Sequence, residues 1–335
     1  MPFVFSIKDT YRQAVEAATG GRNTVMYDDK GNPSIMVALP KFSLSDVVDG
    51  APNVACPAFL VNGVEKDVIW ISKYLNIVHD NRAYSVPGVD PRASIDFNTA
   101  RAACFAKGSG WHLMTNAEWA AVALWCLKNG FQPRGNDNYG KSSQAAYESG
   151  VAATKSSGQT NRTLTGSGPA TWNHDGTPEG IADLRGNITE WVDGLKLVEG
   201  KIYVHQDNNF TAGNTEGSTA GWADTERYFD VVGGNLVLSS VKSTAGTPNR
   251  EFKALTAADG VTVPGLLRHL AIFPPADVSA IAGDRVYVDN SLERLPRRGG
   301  SWFDTSNAGL FSLNLNIVRS YVHTIIGFRA AFCNL

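Results

Sequence analysis

The chain has few cysteines and no strong charge of either sign. Four cysteines (Cys56, Cys104, Cys126, Cys333) occur among 335 residues. None falls in a C-x-x-C or zinc-like spacing, which argues against a thiolate metal site or a redox pair and leaves buried free thiols as the expectation. The formal net charge is −2 and the pI about 6.3, so no basic excess points to nucleic acid and no polybasic cluster to a membrane surface. No apolar run is long enough to span a bilayer, which excludes membrane insertion by a helix. The first residues, Met1 to Lys8, lack a basic stretch and a long apolar core, so no secretory signal is expected there. The three Asn-x-Ser/Thr sequons, at Asn161, Asn187 and Asn209, then carry no weight. There is no Walker loop, no Gly-x-Ser-x-Gly elbow, no His-x-x-x-His pair and no internal repeat.

One further absence is local. Between Trp302 and Gly327 there is no Lys, Glu, Gln, Met or second Trp. Those are residue types whose codons cannot end in a pyrimidine, whereas every residue from Phe303 to Ile326 can be so encoded. Two motifs bracket the segment, Arg297-Arg298-Gly299-Gly300-Ser301-Trp302 and Ile326-Gly327-Phe328-Arg329. Alternation within it puts Leu313 and Leu315 on one face and Asn314 and Asn316 on the other. A reading as two core strands and a loop accounts for Phe311, Leu313, Leu315, Ile326 and Phe328. It does not account for Tyr321-Val322-His323 with Ile325, which crowd aromatic, apolar and imidazole groups into a loop. Such a mixture suits a binding surface, because rigid aromatics give contact area at low entropy cost.

What is present in quantity is apolar residues, at 43%, and glycine, at 33 residues. The first allow a substantial core, the second a turn-rich architecture. Residues 1–45 read as a small amino-terminal element. Asp9 to Thr19 forms a helix with Tyr11, Val15 and Ala18 on one face, stopped by Gly20-Gly21. A hairpin follows, Thr24–Tyr27 and Ser34–Leu39 about Asp28 to Pro33. This element either docks on the main domain or serves as an attachment or oligomerisation arm. The main domain, 46–335, opens with strands at Ala58–Val61 and Asp67–Ser72 and a helix from Phe97 to Lys107. Thr115 and Glu118 stand at capping-box spacing, so a helix starts at Asn116, with Trp119, Val122, Ala123 and Cys126 buried. Residues 132–175 are a long ordered loop region. Residues 196–290 are an insertion that could support the bracketed segment.

Four motifs appear in order. Trp111-His-Leu-Met-Thr115-Asn-Ala-Glu118-Trp119 resembles the Leu-Pro-Thr-x-Ala-Glu-Trp motif of the formylglycine-generating-enzyme branch of the C-type lectin fold. Gly180-Ile-Ala-Asp183-Leu-Arg-Gly186-Asn187-Ile-Thr-Glu190-Trp191 resembles its Gly-x-x-Asp-x-x-Gly-Asn-x-x-Glu-Trp signature. Arg298 to Trp302 and Gly327 to Arg329 complete the set, which spans about 58 to 332. With its bracketed segment, about 302–326, the chain resembles the variable proteins of diversity-generating retroelements. Asn307 to Asn316 read Asn-Ala-Gly-Leu-Phe-Ser-Leu-Asn-Leu-Asn, similar to the Asn-rich template frame of that family.

The resemblance implies an α+β, C-type lectin fold with a mutable face and no catalytic role. Adenine-directed change of Asn codons would yield Phe303, Asp304, Ile317, Tyr321, Val322, His323 and Ile325. With Thr305, Ser306, Asn307, Asn314 and Asn316, these are the expected ligand-binding residues. Trp302 and Phe328 are expected as buried anchors, and Arg298 and Arg329 as structural hydrogen-bond donors to carbonyls or a carboxylate. The implied partner is a host-cell surface protein or glycan. The implied place is a virion tail or a cell surface after synthesis in a cytoplasm, and a homo-oligomer such as a trimer is an open expectation. No cofactor is implied. Two alternatives are carried. One is a calcium lectin using Asp183, Asn187, Glu190 or Asp193; against it, Asn187 and Glu190 are expected to satisfy buried backbone groups in a Gly-rich turn. The other is a formylglycine-generating oxidase, which needs a cysteine pair near the carboxyl terminus where only Cys333 stands.

Overall fold

The computed structural model describes residues 9–335, so the amino-terminal stretch Met1 to Lys8, with its expected lack of a signal, lies outside the described residues. The chain is α+β, with sheet predominating over a few short helices. A five-stranded sheet is built from Asn23–Tyr27, Pro33–Pro40, Val68–Ser72, Ala330–Phe332 and Trp111–Leu113, in that spatial order. The amino-terminal hairpin therefore docks. Its second strand pairs antiparallel with Val68–Ser72, Met36 opposite Ser72 and Leu39 opposite Ile69. The carboxyl-terminal strand lies on the other side of Val68–Ser72.

The helix Thr10–Thr19 is capped as its sequence requires. The Asp9 side chain accepts from Arg12 N, and Gly20 closes the helix at φ 59°. The expected apolar face is not buried. Tyr11 and Ala18 are exposed and Val15 half-buried. The helix is held instead by polar contacts to the first strand. Arg12 Nε donates to Val25 O, Tyr27 Oη donates to Asp9, and Thr24 Oγ1 donates to Glu16. An edge strand already filled by its own sheet leaves little apolar surface for a helix to cover.

The helix Asn116–Lys128 lies at the centre. Thr115 Oγ1 accepts from Glu118 N, and the Glu118 carboxylate accepts from Thr115 N, closing the capping box. The helix is enclosed on nearly all sides. Ala120, Ala121 and Leu124 are buried along with the expected Trp119, Val122, Ala123 and Cys126. One core cluster joins this helix to Ile69 and Ile71, to Leu310, Phe311 and Leu313, and to Leu197, Phe229 and Leu238.

Residues 196–290 contribute to two sheets. Leu195–Val198, Lys201–Val204, Ala223–Val232, Asn235–Ser239 and Thr256–Ala257, with Glu293–Arg294, form a six-stranded sheet. Asn249–Glu251 and Arg285–Val288 instead join a second six-stranded sheet with Gly309–Leu315, Arg297–Gly299, Thr189–Trp191 and Ile326–Phe328. The insertion thus supplies the strand Arg285–Val288, which runs parallel to the bracketed strand Gly309–Leu315. Among the described residues no helix is long and apolar enough to cross a membrane.

Candidate functional site

The bracketing motifs form a buried frame. Arg298 is fully buried; its Nε and Nη2 donate to Asn116 Oδ1 at 3.1 and 2.7 Å, and Nη2 also to Ala271 O at 3.0 Å. With no carboxylate beside it, burial pushes its pKa down to about 9. Arg329 meets a carboxylate. Its Nε and Nη2 reach the two oxygens of Glu190 at 2.6 and 2.8 Å. The same guanidinium donates to Ser72 O and Ala182 O, both at 3.0 Å. Glu190 was expected to satisfy backbone groups. It answers Arg329 instead, because a buried guanidinium needs a counter-charge more than a turn amide does. Asn187 does serve backbone: its Oδ1 accepts from Thr163 N and its Nδ2 donates to Thr163 O.

Glycine is required where the frame turns. Gly299 sits at φ 90°, and a Cβ there would meet Leu184 O at 2.7 Å. Trp302 then packs with Leu75 and Ile188, and Phe328 is fully buried.

Two loops rise from this frame. The first, 300–308, joins Arg297–Gly299 to Gly309–Leu315. The second, 316–325, runs from the far end of Gly309–Leu315 back to Ile326–Phe328. The second is tied along its backbone. Leu295 N donates to Ile317 O, Phe97 N to Arg319 O, Ser94 N to His323 O, and Thr189 N to Ile325 O. Arg319 is buried and donates Nε and Nη2 to Glu293, with Nη1 on Asn98 Oδ1 and Asn214 O. A loop pinned in this way presents its remaining side chains outward.

Phe303, Thr305, Ser306, Tyr321, Val322 and His323 are exposed. The rings of Tyr321 and His323 lie parallel at 6.2 Å, and Phe303 stands edge-on to Trp302 at 5.9 Å. The other six candidates are half-buried. For three of them a place on a freely presented patch is corrected. Asp304 is not free: its Oδ2 accepts from Ser301 N at 2.7 Å and Ser301 Oγ at 2.8 Å, reaching back three residues to close the turn. Ile317 and Ile325 rest their apolar parts against the cluster around Trp191 and Phe328. Asn307 closes the short 3-10 turn Thr305–Asn307. Asn314 and Asn316 are half-buried, near and just beyond the end of the strand Gly309–Leu315, beside Arg297. Arg297, in the sheet, lies within electrostatic reach of Asp304 from the first loop and Tyr321 from the second.

Arg297 and Arg319 are the residues that sequence reasoning passed over. The Arg297-Arg298 doublet carried the signal for one of them, because neighbours in a strand point to opposite faces. Arg298 enters the core, and Arg297 goes to the face that carries Asn314.

The calcium candidates do not converge. Asp183 Oδ2 accepts from Gly166 N at 2.8 Å, and burial raises its pKa to about 6. Glu190 is paired with Arg329, and Asp193 with Arg101 at 2.6 Å. Among the described residues no three His, Cys, Asp or Glu side chains gather to hold a metal ion. All four cysteines are buried free thiols. Burial pushes the Cys333 thiol up to about 11 and Cys56 to about 12, away from the thiolate form. An open groove of about 740 Å³ lies elsewhere, between Val37–Phe42 and the Trp125, His174, Glu179 region, with no residue of the bracketed segment in its wall.

No family model matches the chain, and no curated protein does. Solved structures are similar over 92% of the chain at low identity. PvdO from Pseudomonas aeruginosa is 13% identical over 97% of its own length, with a TM-score of 0.38. Treponema denticola variable protein 1 is 13% identical over 98% of its length, with a TM-score of 0.36. The I1 variant of Major Tropism Determinant is 14% identical over 71% of its length, with a TM-score of 0.35.

Proposed function

We propose that this chain is a ligand-binding variable protein on a C-type lectin scaffold, with its recognition surface in the segment 303–325. The observation that carries the reading is the contrast across the motif boundaries. Trp302, Arg298, Phe328 and Arg329 are buried and cross-tied, while Phe303, Tyr321, Val322 and His323 between them are exposed on loops whose backbone is pinned. Rigid backbone with exposed aromatic side chains is an arrangement that binds at low ordering cost. Phe303 and Tyr321 are the expected hot spots. The role is recognition of a host-cell surface protein or glycan by a virion tail or a bacterial surface protein, and it is binding rather than turnover. Several copies in one assembly would multiply weak contacts.

The first test is the DNA just downstream of the gene. The expected finding is a near-copy of the codons for Trp302 to Ile326 that differs only where the copy has adenine, beside a reverse-transcriptase gene. Sibling copies whose differences fall in the frame motifs instead of 303–325 would overturn the proposal. A calcium lectin would behave differently: chelation would abolish its sugar binding.

A further inference from the structure

Beneath the exposed side chains lies a cation without a partner. Arg297 is 5% exposed, yet no carboxylate stands within ion-pairing distance among the described residues. Its one hydrogen bond is Nη2 to Asn316 Oδ1 at 3.0 Å. Nε is buried with nothing to donate to, and Nη1, which is not fully buried, makes no hydrogen bond within the protein. Its direct cross-strand partner is Asn314, whose Oδ1 is likewise buried and unpartnered. The same row continues to Tyr287 on one side and Trp191 on the other, and the Arg297 guanidinium stands 5.9 Å from the Trp191 ring. Asp304 is the nearest acid, but its Oδ2 is committed to Ser301.

A buried guanidinium with unused donors is costly, and a bound ion or ligand is one of the few things that offsets the cost. A planar fork selects a planar two-oxygen acceptor. Arg297 also lies outside the bracketed segment, so it stays while the rim changes. We propose that Arg297 forms a fixed carboxylate subsite at the floor of the variable face, with the Asn314 and Asn316 amides beside it in this variant. Each variant then recognises a different surface around one constant acidic group of its ligand. The subsite rests on reading 303–325 as a binding face, but it asks a separate question.

The test is thermal unfolding of the full chain at neutral pH, with sodium chloride replaced by sodium acetate at constant ionic strength. A ligand that binds only the folded state raises Tm by mass action. The expected result is a saturable rise in the natural chain and none in Arg297→Met, which starts at an equal or higher Tm in chloride. Arg297→Lys should respond more weakly, having charge without the fork. The same slope in the natural chain and Arg297→Met overturns the proposal. So does an Arg297→Met that unfolds well below the natural chain in chloride, because Arg297 would then be structural. The Arg297 Nε–H resonance of the natural chain, moving saturably in acetate and not in chloride, gives a reading that needs no variant to fold; no movement overturns the subsite.

N-acetylglutamate amide and N-acetylneuraminic acid then distinguish an acidic side chain from an acidic sugar. Either one exceeding acetate supports the subsite and names its source. Failure of both where acetate binds would overturn access by a larger ligand. The DNA copy described above does not involve Arg297, so the two readings fail separately.

Discussion

Thr305 is a β-branched residue at φ 50°, in the left-handed region, and is exposed. Such a conformation costs an ordinary L-residue about 1–2 kcal/mol, while Asn visits it readily. Asn is also the residue whose codon becomes Thr by one adenine change. Thr305→Asn should therefore stabilise the chain by about 1 kcal/mol, read as a higher urea midpoint at unchanged m-value. A lower midpoint would mean that the Thr305 side chain has a structural role that its exposure conceals. At this scale the anchors were legible and the free surface less so. Trp302, Phe328, Arg298 and Arg329 sit in Gly-bounded motifs that leave them only the core. For Asp304, Ile317 and Ile325, equating a loop residue with an exposed one gives a surface place that they do not take. A turn-closing carboxylate and an aliphatic side chain folded back onto the core both defeat that equation, and no sequence pattern marks them.

Elements with a local cause could be read before they were seen. The helix Asn116–Lys128 begins where Thr115 and Glu118 say it must, and the hairpin strands Asn23–Tyr27 and Pro33–Pro40 flank their turn. What could not be read is which strands meet. Val68–Ser72 lies between Pro33–Pro40 and Ala330–Phe332, a pairing fixed by packing of distant segments and not by any neighbouring residue. The face of the helix Thr10–Thr19 failed for the same reason: periodicity says which residues align, not whether anything covers them. The central helix also holds the strand Gly309–Leu315, since Trp119 Nε1 donates to Leu310 O at 2.7 Å. Its cap should matter accordingly. Thr115 Oγ1 both accepts from Glu118 N and donates to Asn208 Oδ1 at 2.7 Å, in a buried site. Thr115→Ala should cost about 2 kcal/mol, at the upper end for a cap because a buried acceptor is also orphaned. Thr115→Ser, which keeps the hydroxyl, should recover most of it; equal losses in urea unfolding would show that the methyl group, not the cap, is what counts.

A molecule proposed to vary its face must keep its stability elsewhere, and the joint between its sheets is one place where this one keeps it. Arg329 reaches Ser72 O in the five-stranded sheet, Glu190 in the sheet that carries Gly309–Leu315, and Ala182 O in the loop between them. Both charges are buried, so removing one leaves the other uncompensated. Glu190→Gln should therefore cost about 3–5 kcal/mol. The exposed side chains are bound by no such debt. Phe303, Tyr321, Val322 and His323 project from loops held by backbone bonds that survive a change of side chain. Exposed substitutions commonly stay within about 0.5 kcal/mol each; Phe303 on its separate loop should add, and the stacked Tyr321 and His323 are replaced together, so that their mutual contact is lost once. A chain carrying Phe303→Asn, Tyr321→Asn, Val322→Asn and His323→Asn together should then lose no more than about 2 kcal/mol, less than Glu190→Gln alone. Urea unfolding of the two variants beside the natural chain decides it. If the fourfold variant falls as far as Glu190→Gln, the loops are core in disguise and cannot be a diversified surface. If it holds, the fold tolerates replacement of the very side chains assigned to recognition, which is the physical condition for one scaffold to carry many ligand specificities.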